Sequence, residues 1–156
     1  MHEPELRQGP SRAARWPMPF GIETECHRQF RSMSSVYQRT GGLATGDAVA
    51  QRLAIFSDQP ISVMARWIVD RIVVSFRWQS QTLVPLFQFD TAPMSLHAEV
   101  ADIVRELIPA FDDWETALWF SEPNGWLGGG VPAEMVLRHR GAVLEAARAD
   151  RFVALG

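Results

Sequence analysis

The stretch Phe111–Ala147, FDDWETALWFSEPNGWLGGGVPAEMVLRHRGAVLEAA, decides the fold, because it places several helix starts and two obligatory turns within one short span. Asp112 and Glu115 form the pattern of a capping box, in which each side chain satisfies a free amide at the start of a helix. That helix carries Trp114, Leu118 and Trp119 on adjoining faces and is stopped by Pro123 and Asn124. Gly128, Gly129 and Gly130 then supply backbone that can take positive φ or approach a neighbour closely. Pro132 restarts a helix at its first turn, and Gly141 breaks it and opens the last one. The segment therefore predicts a compact helical module.

Working towards the N-terminus, Leu96, Val100, Ile103, Val104, Leu107 and Ile108 predict an amphipathic helix, capped by Ser95 and stopped by Pro109. Together the order Trp, Trp-Phe, Pro-Asn, Trp-Leu-Gly-Gly, a proline two residues past the last glycine, then Gly, Val and alanines resembles the Xre/MbcA/ParS-type toxin-binding domain of bacterial antitoxins. It departs from the usual pattern at Met135, Val136 and Leu137 followed by Arg138, His139 and Arg140, where many members carry a Leu-Leu pair and a short loop. The resemblance implies that residues 93–156 seat against a partner toxin, commonly of the RES type. It further implies that the C-terminus blocks the toxin's NAD-degrading pocket. The residues it assigns to that contact are Trp119, Asn124, Trp126, Leu127, Gly128, Gly129 and Pro132, with Arg151, Phe152, Leu155 and Gly156 in the tail. Phe152, Val153 and Leu155 suit a plug by their chemistry, and Arg151 offers a planar donor fork. Taken singly, the same tryptophans, glycines and asparagine also serve a small bundle's core and turns.

Residues 41–92 predict a winged helix-turn-helix. Thr45 caps a helix with Val49, Leu53 and Phe56 at i, i+4 and i+7; Ser57, Asp58 and Gln59 make the turn; Pro60 opens a second helix. Ile61, Met64, Ala65 and Ile68 make that helix's apolar face, while Ser62, Arg66 and Asp70 point away. From Ile72 to Val84 the composition becomes strand-like and predicts a hairpin wing ending at Pro85. Leu43–Pro85 resembles the excisionase-like, MerR-type winged helix-turn-helix, which implies DNA contacts by Arg52, Ser62, Arg66, Arg71 and Arg77. Phe87, Gln88, Phe89 and Asp90 read as an interdomain hinge packed into the core. Residues 1–40, with four of the ten prolines, read as a flexible arm, although Ile22, Cys26, Phe30 and Met33 are spaced for a short helix around Glu23–Met33.

All fifteen basic residues are arginine, so a P-loop lysine, a Schiff-base lysine and a serine-lysine dyad are excluded. Ten arginines stand against eight acids before residue 96, and five against ten after it, so any nucleic-acid contact belongs to the N-terminal half. One cysteine, Cys26, makes no internal disulfide, and His2, His27, His97 and His139 lack metal-ligand spacing. The acids Asp112, Asp113 and Glu115 are explained by a helix start, and the glycine triplet has no lysine after it. No enzyme, cofactor or metal is expected. No apolar run approaches the ~20 residues that span a bilayer, so a cytoplasmic protein is expected.

The expectation is thus a mainly α protein with a short β-hairpin, a homodimer by the usual symmetry of helix-turn-helix proteins. Its function would be that of a type II antitoxin that neutralises a RES-like toxin and represses its operon. The alternative is a stand-alone DNA-binding regulator whose C-terminal domain serves homodimerisation.

Overall fold

The computed structural model describes residues 24–156, and the first part of the expected arm, residues 1–23, lies outside the described residues. The described chain is mainly helical, as expected, and in place of one hairpin it carries two small antiparallel sheets.

The expectation of a flexible arm is corrected from Thr24 onward, where the short helix suggested by the spacing of Cys26, Phe30 and Met33 forms and runs on to Gln38. Thr24 accepts a hydrogen bond from the His27 amide and caps α1 (Glu25–Gln38). Met33 and Tyr37, one turn apart, are buried with the C-terminal helices, and the Tyr37 hydroxyl donates to the Ala117 carbonyl at 2.6 Å. Phe30 stacks on Trp78 with ring centroids 4.1 Å apart, so the helix is held along its length by large apolar contacts.

After Gly41 and Gly42, both at positive φ, come β1 (Leu43–Thr45) and α2 (Gly46–Leu53), capped by Thr45. The helix α3 (Pro60–Val69) follows and packs on α2. The turn between them is longer than predicted, because α2 ends at Leu53, and Phe56 is consequently exposed. The apolar face of α3 is also displaced. Met64 is buried and Val63, Trp67 and Ile68 pack beside it, whereas Ile61 and Ala65 face solvent.

The wing consists of β2 (Phe76–Trp78) and β3 (Gln81–Pro85), in register Phe76↔Leu83 and Trp78↔Gln81. It is shorter than predicted, and β1 joins its other edge to give the order β1-β3-β2. Val73 and Val74 are buried outside any strand. The Val74 backbone is satisfied by the buried Gln88 side chain, whose Oε1 accepts from the Val74 amide at 2.6 Å. Gln88 Nε2 donates to the Val74 and Pro85 carbonyls at 2.9 Å each. A side-chain amide thus replaces a ladder partner, which permits an uncharged polar group in the core.

Beyond Gln88 a second sheet pairs β4 (Phe89–Thr91) with β5 (Met94–Leu96). Ser95 is therefore not a helix cap: Leu96 is held extended opposite Phe89, and α4 (Ala98–Leu107) starts after His97 without a side-chain cap. The capping box at Asp112 and Glu115 is present and starts α5 (Asp113–Ser121). The short α6 (Pro132–Met135) begins at Pro132 as predicted, but the break falls at 136–139, ahead of Gly141 in the first turn of α7 (Arg140–Leu155).

Val100, Ile103, Val104 and Leu107 form the buried stripe of α4 and meet Val143, Ala146 and Ala147 of α7, where the alanines allow close helix approach. This larger core crosses both expected domain boundaries, since Met33, Tyr37, Val74, Phe76 and Phe87 join it. A smaller core, including Val49, Leu53, Met64, Val84 and Phe89, supports the helix-turn-helix half. No helix among the described residues is long and apolar enough to cross a membrane.

Candidate functional site

The turn after α5 is organised by one residue. The Asn124 amide donates to the Gly130 carbonyl at 2.9 Å, and its own carbonyl accepts from Leu127 and Gly129. Its side-chain oxygen accepts from the Trp126 amide at 2.9 Å, the local pattern by which asparagine mimics a backbone turn. Gly128 and Gly129 have φ of 64° and 86°, the left-handed region that favours glycine. Gly130 is needed for proximity instead: a Cβ there would overlap the Met135 sulfur and lie 3.2 Å from the Leu127 carbonyl oxygen. The glycine triplet is thus a closed loop that fixes where Trp126 stands.

Three N–H groups then converge on one carboxylate. Trp119 Nε1 and Asn124 Nδ2 each donate to Asp150 Oδ2 at 2.8 Å, and Trp126 Nε1 donates to Oδ1 at 2.9 Å. Trp119 comes from α5, Asn124 and Trp126 from the turn, and Asp150 from α7, so the carboxylate ties three segments together. Trp119 and Asn124 are buried, whereas Trp126 is 63% exposed although its indole N–H is anchored. Beside them opens a cleft of about 500 Å³, walled by Trp119, Pro123, Trp126 and the acids Glu122 and Asp150.

Sequence reasoning missed Asp150. Its signal lay in the stripe Val143, Ala146, Ala147, Asp150, where an acid takes an i, i+3, i+4, i+7 position otherwise apolar. An acid on a buried face needs donors, and the nearest donors of that kind are the tryptophans.

The remaining residues of the expected partner contact divide. Leu127 packs against the core and Pro132 is buried, so both support the turn from beneath. Phe152, Val153 and Leu155 are 78%, 67% and 59% exposed on the last turns of α7, and Gly156 follows with φ of 74°. Arg151 does not extend a free donor fork. It pairs with Glu106 of α4 at 2.8 Å, which also receives Arg148, and so braces α7 against its neighbour.

The expected DNA-contacting residues also divide. Ser62 and Arg66 are exposed on α3, but the same face exposes Ile61 and Val69 at 76% and 78%. Arg77 is exposed on the wing, and Arg52 borders a separate cleft with Arg39 and His97. The assignment of Arg71 to a DNA contact is corrected. Its Nε donates to Asp113 at 2.8 Å and its terminal nitrogens to the Ile108 and Phe111 carbonyls at 3.3 and 2.7 Å. The guanidinium satisfies the carbonyl of Ile108, the C-cap of α4, and that of Phe111 just ahead of α5, so it ties the end of α3 to the α4–α5 connection.

Cys26 is exposed and His27 rests edge-on against Trp78, so the adjacent pair forms no dyad. Among the described residues no group of three or more His, Cys, Asp or Glu is placed to hold a metal ion. The sequence matches no family model, and no significant match to it is found among curated proteins or solved structures.

Proposed function

We propose that this chain is an antitoxin-like protein, whose α5, 124–130 turn and α7 bind a partner toxin of the RES type and silence it by covering its active site. The observation that carries this reading is the exposed apolar end of α7. Phe152, Val153 and Leu155 stand in water on a helix that Arg151 and Arg148 brace against α4. Burying each such side chain on a partner is worth about 1.5–3 kcal/mol, which gives the exposed end a role that its own fold does not supply. The rigid turn carrying Trp126 extends the same end of the molecule through its bond to Asp150.

Repression of an operon would rest on α3. The exposed face of α3 mixes Ser62 and Arg66 with Ile61, Ala65 and Val69, a surface better suited to protein than to phosphate. That apolar surface favours the competing reading, a regulator that forms homodimers.

Co-expression with the product of the adjacent gene, followed by size exclusion and a growth assay, tests the two. The antitoxin reading expects a stable complex that rescues growth and is lost with Phe152→Asp while the helical fold persists. A non-toxic neighbour that forms no complex, with a chain that dimerises by itself, would refute it and favour the regulator.

A further inference from the structure

The geometry points to the Trp119–Trp126 cleft as a receptor for an arginine side chain presented by the partner protein. This rests on the reading of that end of the molecule as partner-binding. The cleft combines an open indole with two carboxylates and no basic residue in its walls. Trp126 stands beside the opening with Nε1 donating to Asp150, and its backbone is set by the amide bond to Asn124. Its ring remains 63% exposed, the one large aromatic surface in the cleft left to solvent.

The charges select the occupant. Asp150 Oδ2 already accepts two donors and Oδ1 one, and an ionised carboxylate has about four acceptor positions, so one direction on Oδ1 is left. Glu122 is exposed at the rim and takes part in none of the ion pairs among the described residues. A neutral or anionic group would meet two acids without a compensating cation. A planar guanidinium stacks on the Trp126 indole, donates to Glu122 through its fork and reaches the remaining Asp150 position; an ammonium satisfies the charge without the stacking. Pro123 supplies an apolar wall for the arginine's methylenes.

The test uses the full chain labelled with nitrogen-15. Its six tryptophans give six indole N–H signals, and Trp126→Phe and Trp119→Phe assign the two that matter. N-acetyl-arginine amide is titrated in, with N-acetyl-citrulline amide as its neutral isostere. The expected result is saturable movement of the Trp119 and Trp126 signals alone, roughly tenfold weaker for citrulline, with a loss of about threefold in affinity for Glu122→Gln. Equal response to arginine and citrulline, or no movement of these two signals in a folded chain, would overturn the assignment. The partner reading is judged separately by co-expression. A complex without arginine-selective shifts removes the guanidinium site and leaves the antitoxin proposal, whereas selective shifts without any complex do the reverse.

Discussion

Replacing Asp150 by alanine removes the acceptor of three N–H groups at once, and their different burial lets the cost be apportioned. Trp119 and Asn124 are 8% and 7% exposed, so each donor left unsatisfied costs about 1–3 kcal/mol, the lower values applying where water enters from the cleft. Trp126 is largely exposed and its N–H finds water, so its share is about 0.5 kcal/mol or less. The shares sum to about 2–6.5 kcal/mol, and because the cleft admits water to the site the lower part, about 3 kcal/mol, is expected for Asp150→Ala. Asp150→Asn retains one carbonyl oxygen for the two buried donors and loses the charge, so about 1 kcal/mol is expected. Urea unfolding followed by far-ultraviolet circular dichroism measures both; with a slope near 2 kcal/mol/M the alanine variant's midpoint falls by roughly 1.5 M. An alanine variant within about 0.5 kcal/mol of the parent would refute the view that this carboxylate holds the turn to α7. Equal losses for alanine and asparagine would show that charge rather than acceptor geometry matters.

Burial raises the Tyr37 hydroxyl well above its ordinary value of 10.0, and the chain has no lysine and no second tyrosine to obscure the effect. The unfolded chain releases this proton first, so the stability is fully present below pH 10.0 and is lost as pH rises above it. In a Cys26→Ser background, chemical unfolding should give a decline approaching about 1.4 kcal/mol per pH unit that Tyr37→Phe abolishes, at a cost of about 1 kcal/mol at neutral pH; an unchanged alkaline limb in the variant would contradict this. Gly130→Ala should cost about 1–3 kcal/mol, and Met135→Ala should recover part of it because the clash is with that sulfur. Additive losses in the double variant would place the cost elsewhere. Arg71 sits at φ of 52° and bonds Ile108, Phe111 and Asp113, so Arg71→Ala should lose more than Arg71→Gly by about 1 kcal/mol. Thermal melts that rank the two equally would remove the backbone part of that account.

The elements with local signals were legible in the sequence. Capping by Thr45 and Asp112, helix starts at Pro60 and Pro132, and the glycine loop follow from short-range chemistry, so reading a few neighbouring residues suffices. Segments decided by distant partners were not legible. The α1 sequence has a weak local pattern, and it is a core helix because Trp78, Trp114 and Ala117 receive Phe30, Gln29 and Tyr37. Val74 lies outside the wing because Gln88 satisfies its backbone, and Arg71 turns inward because the Ile108 and Phe111 carbonyls and the Asp113 carboxylate stand beside it.

The candidate site divides along the same line. The amino-acid sequence by itself determined the turn that carries Asn124 and Trp126, since its local backbone geometry favours asparagine at 124 and glycine at 128 and 129. That Asp150 gathers Trp119, Asn124 and Trp126 into one cleft, while Arg151 next to it leans away onto Glu106, was decided only by tertiary structure. Adjacent residues on a helix diverge by about 100°, and which neighbouring segment meets each of them depends on how α7 docks, a property no local stretch encodes.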